Sequence, residues 1–431
     1  MFTGTDLSHA QQELIGNTIE IIHNTEADFI KKLERRVPTE MTNFRGRREP
    51  LEVRPNPSLS AYNPAGGILA TPGAPGFDHL LIPYVSLGIG LETSYEAIMN
   101  AAGGHGAVSD PLEQISESTG RTFVKWLNIF ASNSNGTMKI GIVSARTSDS
   151  VLTLNSADDS IGATQILEGQ RVKVFDPTGT TQRTGVVGAG TILVGSRTNT
   201  TITRDATGID WPSTVVAGDI IVPEGSTPSV GFKGIPYIVN NVGDYFGIPR
   251  SLVDRIQSII TPAGGVGLTA AMLYNTNARR KQRTGQLSLA GTGVAELAMG
   301  MTQEAAYHAL IPAASFQHIG AERPAGDVEL SSQQFTWFGT PLNAYQDWLG
   351  DRIDFLNFDY LKIASLKEAG SMIGMPANDE LQSFDGTTSN WRAAKAKFLD
   401  VSRDYFSTSP HRFAAIVGLG MSNLPMQKST S

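Results

Sequence analysis

Cysteine is missing from all 431 residues, which excludes a disulfide framework and any thiolate metal site. Charged residues are also scarce, at 17% against the ~25% usual in globular domains. Such depletion suits a surface covered by neighbouring molecules, because interface cores shed charge. A turn-rich β protein gives the same composition, and the 45 glycines fit that reading too. No run approaches the ~18 apolar residues of a membrane helix. Residues 1–12 have neither a basic head nor an apolar stretch, so no secretion signal is expected. With 34 basic and 41 acidic residues the net charge is -7, a poor balance for tight binding to DNA, which is driven by phosphate neutralisation.

The motifs of catalysis are missing as well. The seven histidines form no H-E-x-x-H pair. There is no G-x-x-x-x-G-K-[ST] loop and no G-x-S-x-G elbow. Gly88-Ile89-Gly90 and Gly291-Thr292-Gly293 lack the third glycine and the βαβ setting of a dinucleotide site, so they read as turns. Asp158-Asp159, and Asp347 with Asp351, are carboxylate pairs in loops, with nothing to place them about a shared substrate. Asn135-Gly136-Thr137 and Asn199-Thr200-Thr201 match the glycosylation pattern but read as turn and strand chemistry. The aromatics are not interleaved with basic residues as in single-strand binders. No catalytic residue, cofactor or metal is expected.

What is present is a sequence of contrasting segments. Residues 8–37 read as one amphipathic helix, with Ile15, Ile19, Ile22, Phe29, Leu33 and Val37 at helical spacing and Pro38 as its stop. Between 55 and 90 lie six prolines and six glycines, incompatible with a helix or a central strand. The flanks at 50–54 and 80–91 look extended, giving a long two-stranded arm with an irregular tip. Because an isolated hairpin is marginal in water, the arm needs a partner to rest on. Asp110, Pro111 and Glu113 then open a helix over 110–132, ~34 Å long at 1.5 Å per residue.

Short Val-, Ile- and Thr-rich strands follow at 138–145, 151–154, 170–175, 191–194, 200–203 and 219–222, with turns such as Asp176-Pro177-Thr178-Gly179. They predict a small barrel or sandwich over 150–226. Helices are expected at 268–281, capped by Thr269, and at 302–310, and strands at 335–345 and 352–358. Near the end, Leu399, Val401 and Tyr405 alternate with polar residues, and 411–419 looks extended. A hairpin closed at 407–410 is preferred there over a helix at 391–404.

One charged cluster stands apart. Arg45, Arg47, Arg48 and Arg54 lie at the base of the arm, with Glu49 and Glu52 among them. A solvated face is one reading. The other is docking onto an acidic surface of a neighbouring subunit, since arginine grips carboxylates in a two-pronged fork.

The order of these segments resembles the tailed-bacteriophage major capsid proteins, the fold named for the Hong Kong coliphage. Three stretches carry the resemblance: Phe232-Lys233-Gly234-Ile235-Pro236-Tyr237 with Tyr245-Phe246-Gly247-Ile248-Pro249-Arg250; Phe338-Gly339-Thr340-Pro341 with Asp351-Arg352-Ile353-Asp354-Phe355-Leu356-Asn357; and Ser409-Pro410-His411 running to Gly418-Leu419. The resemblance implies an α+β chain with an N-terminal arm (1–40), an extended loop (41–100), a peripheral domain with a spine helix (101–149), a β insertion domain (150–226), an axial domain (232–345) and a return to the peripheral domain (346–431).

It further implies self-association into the hexamers and pentamers of an icosahedral head that encloses double-stranded DNA without reading its sequence. Scaffolding, portal and decoration proteins would be partners, assembly would occur in the host cytoplasm, and no membrane would be involved. A nanocompartment shell of the encapsulin type is the nearest alternative. A hydrolase with a β accessory domain and a β-rich surface-binding protein are alternatives of other classes. Some relatives cross-link their shells through a lysine in the extended loop, but no lysine occurs here between Lys32 and Lys125.

Overall fold

The computed structural model describes residues 28–41, 46–56, 58, 71, 73–94, 111–154, 166–184, 191–198, 200–284, 295–310, 336–337, 340–345, 347–366, 381–385 and 390–420. The chain divides into two compact units, the smaller drawn from 1–46, 83–131 and 362–404, the larger from 47–82, 132–361 and 405–431.

The smaller unit is built on a five-stranded sheet. Strands β1 (Thr39–Met41), β18 (Lys362–Ser365), β20 (Asn390–Phe406) and β19 (Leu381–Asp385) lie in that order, and β4 (Val85–Ser94) also pairs with β20. The β4–β20 ladder is antiparallel over ten residue pairs, from Val85 opposite Arg403 to Ser94 opposite Ala394. Helix α1 (Asp28–Arg36) buries Phe29, Ile30 and Leu33, and Val37 just beyond it is buried too. Phe29, Leu33 and Val37 are the i, i+4 and i+8 positions of the expected stripe, to which Ile30 adds, and each large apolar side chain is worth ~1.5–3 kcal/mol when taken from water. Glu34 on the same helix pairs with Arg403 of β20, so the carboxylate and the guanidinium are buried together. Residues 8–27 of the expected helix lie outside the described residues. Helix α2 (Pro111–Asn133) matches the 110–132 expectation within a residue, and buries Phe123, Leu127 and Phe130 on one side. The capping Asp110 lies outside the described residues.

In the larger unit, six strands close into a barrel: β5 (Gly141–Arg146), β6 (Val151–Leu154), β9 (Thr201–Arg204), β8 (Thr191–Arg197), β7 (Arg171–Phe175) and β10 (Ile220–Pro223), which returns to β5. Alternation fills it: Leu152, Leu154, Val172, Val174, Ile192, Val194 and Ile202 are buried, as a small barrel requires. The expected barrel began at 150, but β5 is one of its staves and the barrel starts at Gly141. Arg183 forks onto the buried Asp219 at 3.0 and 2.9 Å. In the turn after β7, Asp176 accepts from the Thr180 and Thr181 N–H groups at 2.8 and 2.9 Å.

Entry to and exit from the barrel run side by side. Gly136 N–H donates to the Phe232 carbonyl, and Gly234 N–H to the Ser134 carbonyl, each at 3.1 Å. Between them the backbones come so close that a Cβ on Gly231 would sit 2.2 Å from the carbonyl carbon of Thr137. Gly231→Ala is therefore expected to cost roughly 3 kcal/mol through forced backbone movement, seen as a lower denaturant midpoint. An unchanged midpoint would show that the staple is looser than this contact implies.

The rest of the larger unit is a mixed six-stranded sheet in the order β13 (Ile259–Pro262), β21 (Ala414–Val417), β17 (Ile353–Asn357), β14 (Ala295–Gly300), β16 (Thr340–Tyr345) and β15 (Thr336–Trp337). Leu297, Met299, Leu342, Ile353, Phe355, Ala414 and Ile416 form its core, with Leu273 from helix α4 (Ala270–Thr284) and Tyr307 from helix α5 (Met301–Leu310). Thr269 caps α4 as expected: its Oγ1 accepts from the Met272 N–H at 3.3 Å.

Three expectations are corrected here. The single strand at 335–345 is two antiparallel strands, with Thr336 opposite Pro341 and Trp337 opposite Thr340. The C-terminal hairpin does not form. The 390–406 segment is indeed a strand rather than a helix, but β20 pairs in the smaller unit's sheet, whereas β21 inserts between β13 and β17. The chain also does not change unit after 345: β17 continues the sheet of β14 and β16, and the change comes at 362.

Candidate assembly interface

The arm expected over 41–100 is built from strands β2 (Arg47–Arg54) and β3 (Gly76–Ile82), paired antiparallel from Arg47 opposite Ile82 to Arg54 opposite Gly76. It groups with the larger unit, whereas β4, within the same expected loop, belongs to the smaller one. Strand alternation splits the hairpin into two faces. On one, Leu51, Leu80 and Ile82 are buried and Glu49 nearly so, with Arg47 Nε 3.1 Å from Glu49 Oε2. On the other, Phe77 and Leu81 are 65% and 51% exposed, beside exposed Arg48, Pro50 and His79. This face thus sets an aromatic side chain beside an arginine, two residue types enriched at protein interfaces.

The four arginines singled out from the sequence therefore do not act together. Arg47 faces inward to Glu49, and Arg45 lies outside the described residues. Arg48 and Arg54 are exposed, and among the described residues neither has an ion-pair partner.

Sequence spacing gave no sign of a second basic group, assembled from segments far apart in the chain. The outward face of β2 carries Glu52, which pairs with Arg255 of the 3₁₀ turn Asp254–Ile256. That backbone is held by two neighbours: His411 Nδ1 donates to the Arg255 carbonyl at 3.0 Å, and Arg283 Nη2 at the end of α4 donates to the Asp254 carbonyl at 2.8 Å. Buried Arg280 donates to the Arg412 carbonyl at 3.3 Å. The Arg412 guanidinium lies 4.3 Å from the centre of the Tyr360 ring and donates to its hydroxyl at 2.8 Å. Burial, and then the adjacent Arg412 charge, hold Arg280 down to about 10. Burial likewise lowers His411, and the charges of Arg412, Arg255 and Arg283 push it the same way. Among the described residues no group of three or more metal-binding side chains occurs anywhere.

Two of the three stretches that carry the capsid resemblance come together in a buried joint with Ser407, just ahead of the last one. Helix α3 (Ile235–Ile238) leads into a two-residue turn between β11 (Asp244–Tyr245) and β12 (Ile248–Pro249). There Phe246, at φ +47°, and Gly247, at φ +87°, both take left-handed backbone. Phe246 is an uncommon residue for that conformation, and it is held by its N–H donating to the Tyr237 hydroxyl at 2.8 Å and by edge contacts with Tyr237 and Tyr245. Arg250, 1% exposed, donates to the carbonyls of Asn240, Ile256 and Tyr237 and lies 4.6 Å from the Tyr245 ring centre. Burial lowers its affinity for the proton. The Tyr245 hydroxyl donates to the Ser407 carbonyl and accepts from the Ser407 N–H, each at 2.8 Å. Just before β17, Arg352 reaches the Val239 carbonyl at 2.6 Å while forking onto Asp354, whose carboxyl is fully buried. Burial raises Asp354 above the ordinary carboxyl value, although Arg352 and the Trp348 N–H oppose this.

No protein-family profile and no curated protein matches the chain. Solved structures do. A capsid protein in the asymmetric unit of cyanophage A-1(L) superposes with a TM-score of 0.53 at 13% identity, covering 91% of this chain and 93% of that one. The chain has the phage major capsid fold. The capsid of a native GTA particle gives a TM-score of 0.44 at 10% identity, covering 90% of each chain. The holo-encapsulin complex of Synechococcus elongatus gives 0.40 at 9%, covering 91% of this chain and 88% of that one. Within the capsid fold, the α+β organisation expected from sequence is the one found: paired arm strands, a long helix, a β insertion and a mixed sheet.

Proposed function

We propose that the chain is the structural subunit of an icosahedral phage head. It assembles with copies of itself into hexamers and pentamers that enclose double-stranded DNA. The observation that carries this reading is the hairpin with one exposed apolar and basic face, on a chain that matches a capsid structure over 91% of its length. Phe77 and Leu81 supply area to bury on a second copy, and Arg48 and Arg54 supply partners for its carboxylates. In this reading the smaller unit is the peripheral domain, the six-stranded sheet with α4 and α5 is the axial domain, and the barrel lies on the outer surface. Scaffolding, portal and decoration proteins, and assembly in the host cytoplasm, belong to the same proposal. No part of it calls for catalysis.

Summation is the physical logic. Each subunit makes several modest contacts, and closure of the lattice multiplies them. Electron microscopy of the purified protein should show closed particles. A monomer at high concentration would overturn the reading, and a cargo enzyme in place of DNA would assign the shell to a nanocompartment. Because 33–124 contains no lysine, the shell should be non-covalent. Boiling particles in detergent should release monomers, and a high-mass ladder would contradict this.

A further inference from the structure

We propose that the basic corner formed by Arg255, Arg283, His411 and Arg412, backed by buried Arg280, binds the phosphodiester backbone of nucleic acid. The inference deepens the shell reading, which supplies the DNA. Four guanidiniums and an imidazole are drawn together from a 3₁₀ turn, the end of α4 and the turn at Pro410–Arg412, on a chain whose net charge is -7. Two carboxylates accompany them. Glu52 is taken by Arg255, and Asp254, its side chain 94% exposed, lies 3.5 Å from Arg283 in a weak solvated pair. Among the described residues Arg412 pairs with no carboxylate and rests on a tyrosine ring instead.

The carbonyls of Asp254 and Arg412 fix this crowding of like charge by holding Arg283 and buried Arg280, and the Arg255 carbonyl holds the His411 imidazole beside them. Like charges held at such spacing cost energy that an anion would recover. A single carboxylate meets one guanidinium, as Glu52 does with Arg255. Several cations gathered in one corner suit a ligand with repeating charge, and arginine grips phosphate oxygens in a two-pronged manner. Such contacts are independent of sequence and sensitive to salt, which is compatible with a wall that holds DNA loosely.

The test is anisotropy of a labelled random-sequence duplex with the full chain, between about 50 and 200 mM salt. The unaltered chain should bind with a slope of log K against log salt near -3, for roughly three phosphates. The double variant Arg255→Gln, Arg283→Gln should lose about two of that slope and at least about tenfold in affinity at the lowest salt. Arg171→Gln on the barrel should change neither. Failure of the unaltered chain to bind, an unchanged slope in the double variant, or equally tight binding of polyglutamate would overturn the proposal. Particle formation is scored separately by electron microscopy. Shells that form from the double variant, with duplex binding lost, leave both readings standing. Duplex binding by a chain that never forms shells removes the shell reading and keeps the corner.

Discussion

Phe77→Asp combined with Leu81→Asp should leave the subunit folded and abolish shell formation. Both side chains are more than half exposed on the outward face of the hairpin, so the lone subunit loses little by their replacement. Surface substitutions of this kind stay within about 0.5 kcal/mol of the parent stability. Burying a large apolar side chain at a contact is worth ~1.5–3 kcal/mol, and a buried aspartate replaces that gain with a desolvation cost. Repeated at each subunit of a closed lattice, the loss outweighs any single interface. Arg48→Glu with Arg54→Glu should weaken assembly by a smaller, salt-dependent amount. Arg47→Glu should instead unsettle the subunit, because its guanidinium sits against Glu49 on the inner face. Electron microscopy and sedimentation decide the first point, and unfolding curves confirm the fold. Normal shells from the double aspartate variant would remove the hairpin from the assembly mechanism.

The second large effect is expected inside the subunit. Asp354→Ala should cost about 3–5 kcal/mol, the range for removing one partner of a buried ion pair. Asp354 is fully buried, takes a fork from Arg352 at 2.7–2.9 Å and accepts from Trp348 at 3.2 Å. Its loss strands the Arg352 guanidinium beside the Val239 carbonyl with no anion to balance it. Asp354→Asn keeps an acceptor in place and should cost less. A combined Arg352→Met, Asp354→Leu variant should recover much of the deficit, since apolar replacement removes both desolvation penalties. Denaturant unfolding measures all three. If Asp354→Ala falls within 1 kcal/mol of the parent, the pair is solvated and the joint it anchors is not dry.

Local chemistry made much of this structure readable. Pro111 opens α2 at the expected residue, and Thr269 caps α4. The barrel strands fall within a residue or two of their Val-, Ile- and Thr-rich runs, except that β5 begins and β8 ends three residues later than expected. Partner choice was not readable. The alternation that marks 390–406 as a strand holds equally for a hairpin and for a ladder with β4 more than 300 residues upstream, and only the folded chain selects between them. The arm was legible as a hairpin, but its faces were not, because the pairing register decides which arginines share a side. Arg47 and Arg48 are adjacent in sequence and opposite in space. The corner of Arg255, Arg283 and Arg412 was beyond reach for the same reason. Its members are scattered over more than 150 residues, and each looks like an ordinary surface cation.

The six-stranded sheet has its latest strand in an inner position. β21, at 414–417, lies between β13 and β17, which precede it by roughly 155 and 60 residues, and contributes Ala414 and Ile416 to the core. A nascent chain still short of residue 417 has a gap where that strand belongs, with two unsatisfied edges facing each other. Pairing at such sequence separation is slow to nucleate. The sheet is therefore complete only once β21 has been made, and under the proposed shell reading an unfinished copy has no completed sheet to offer its neighbours.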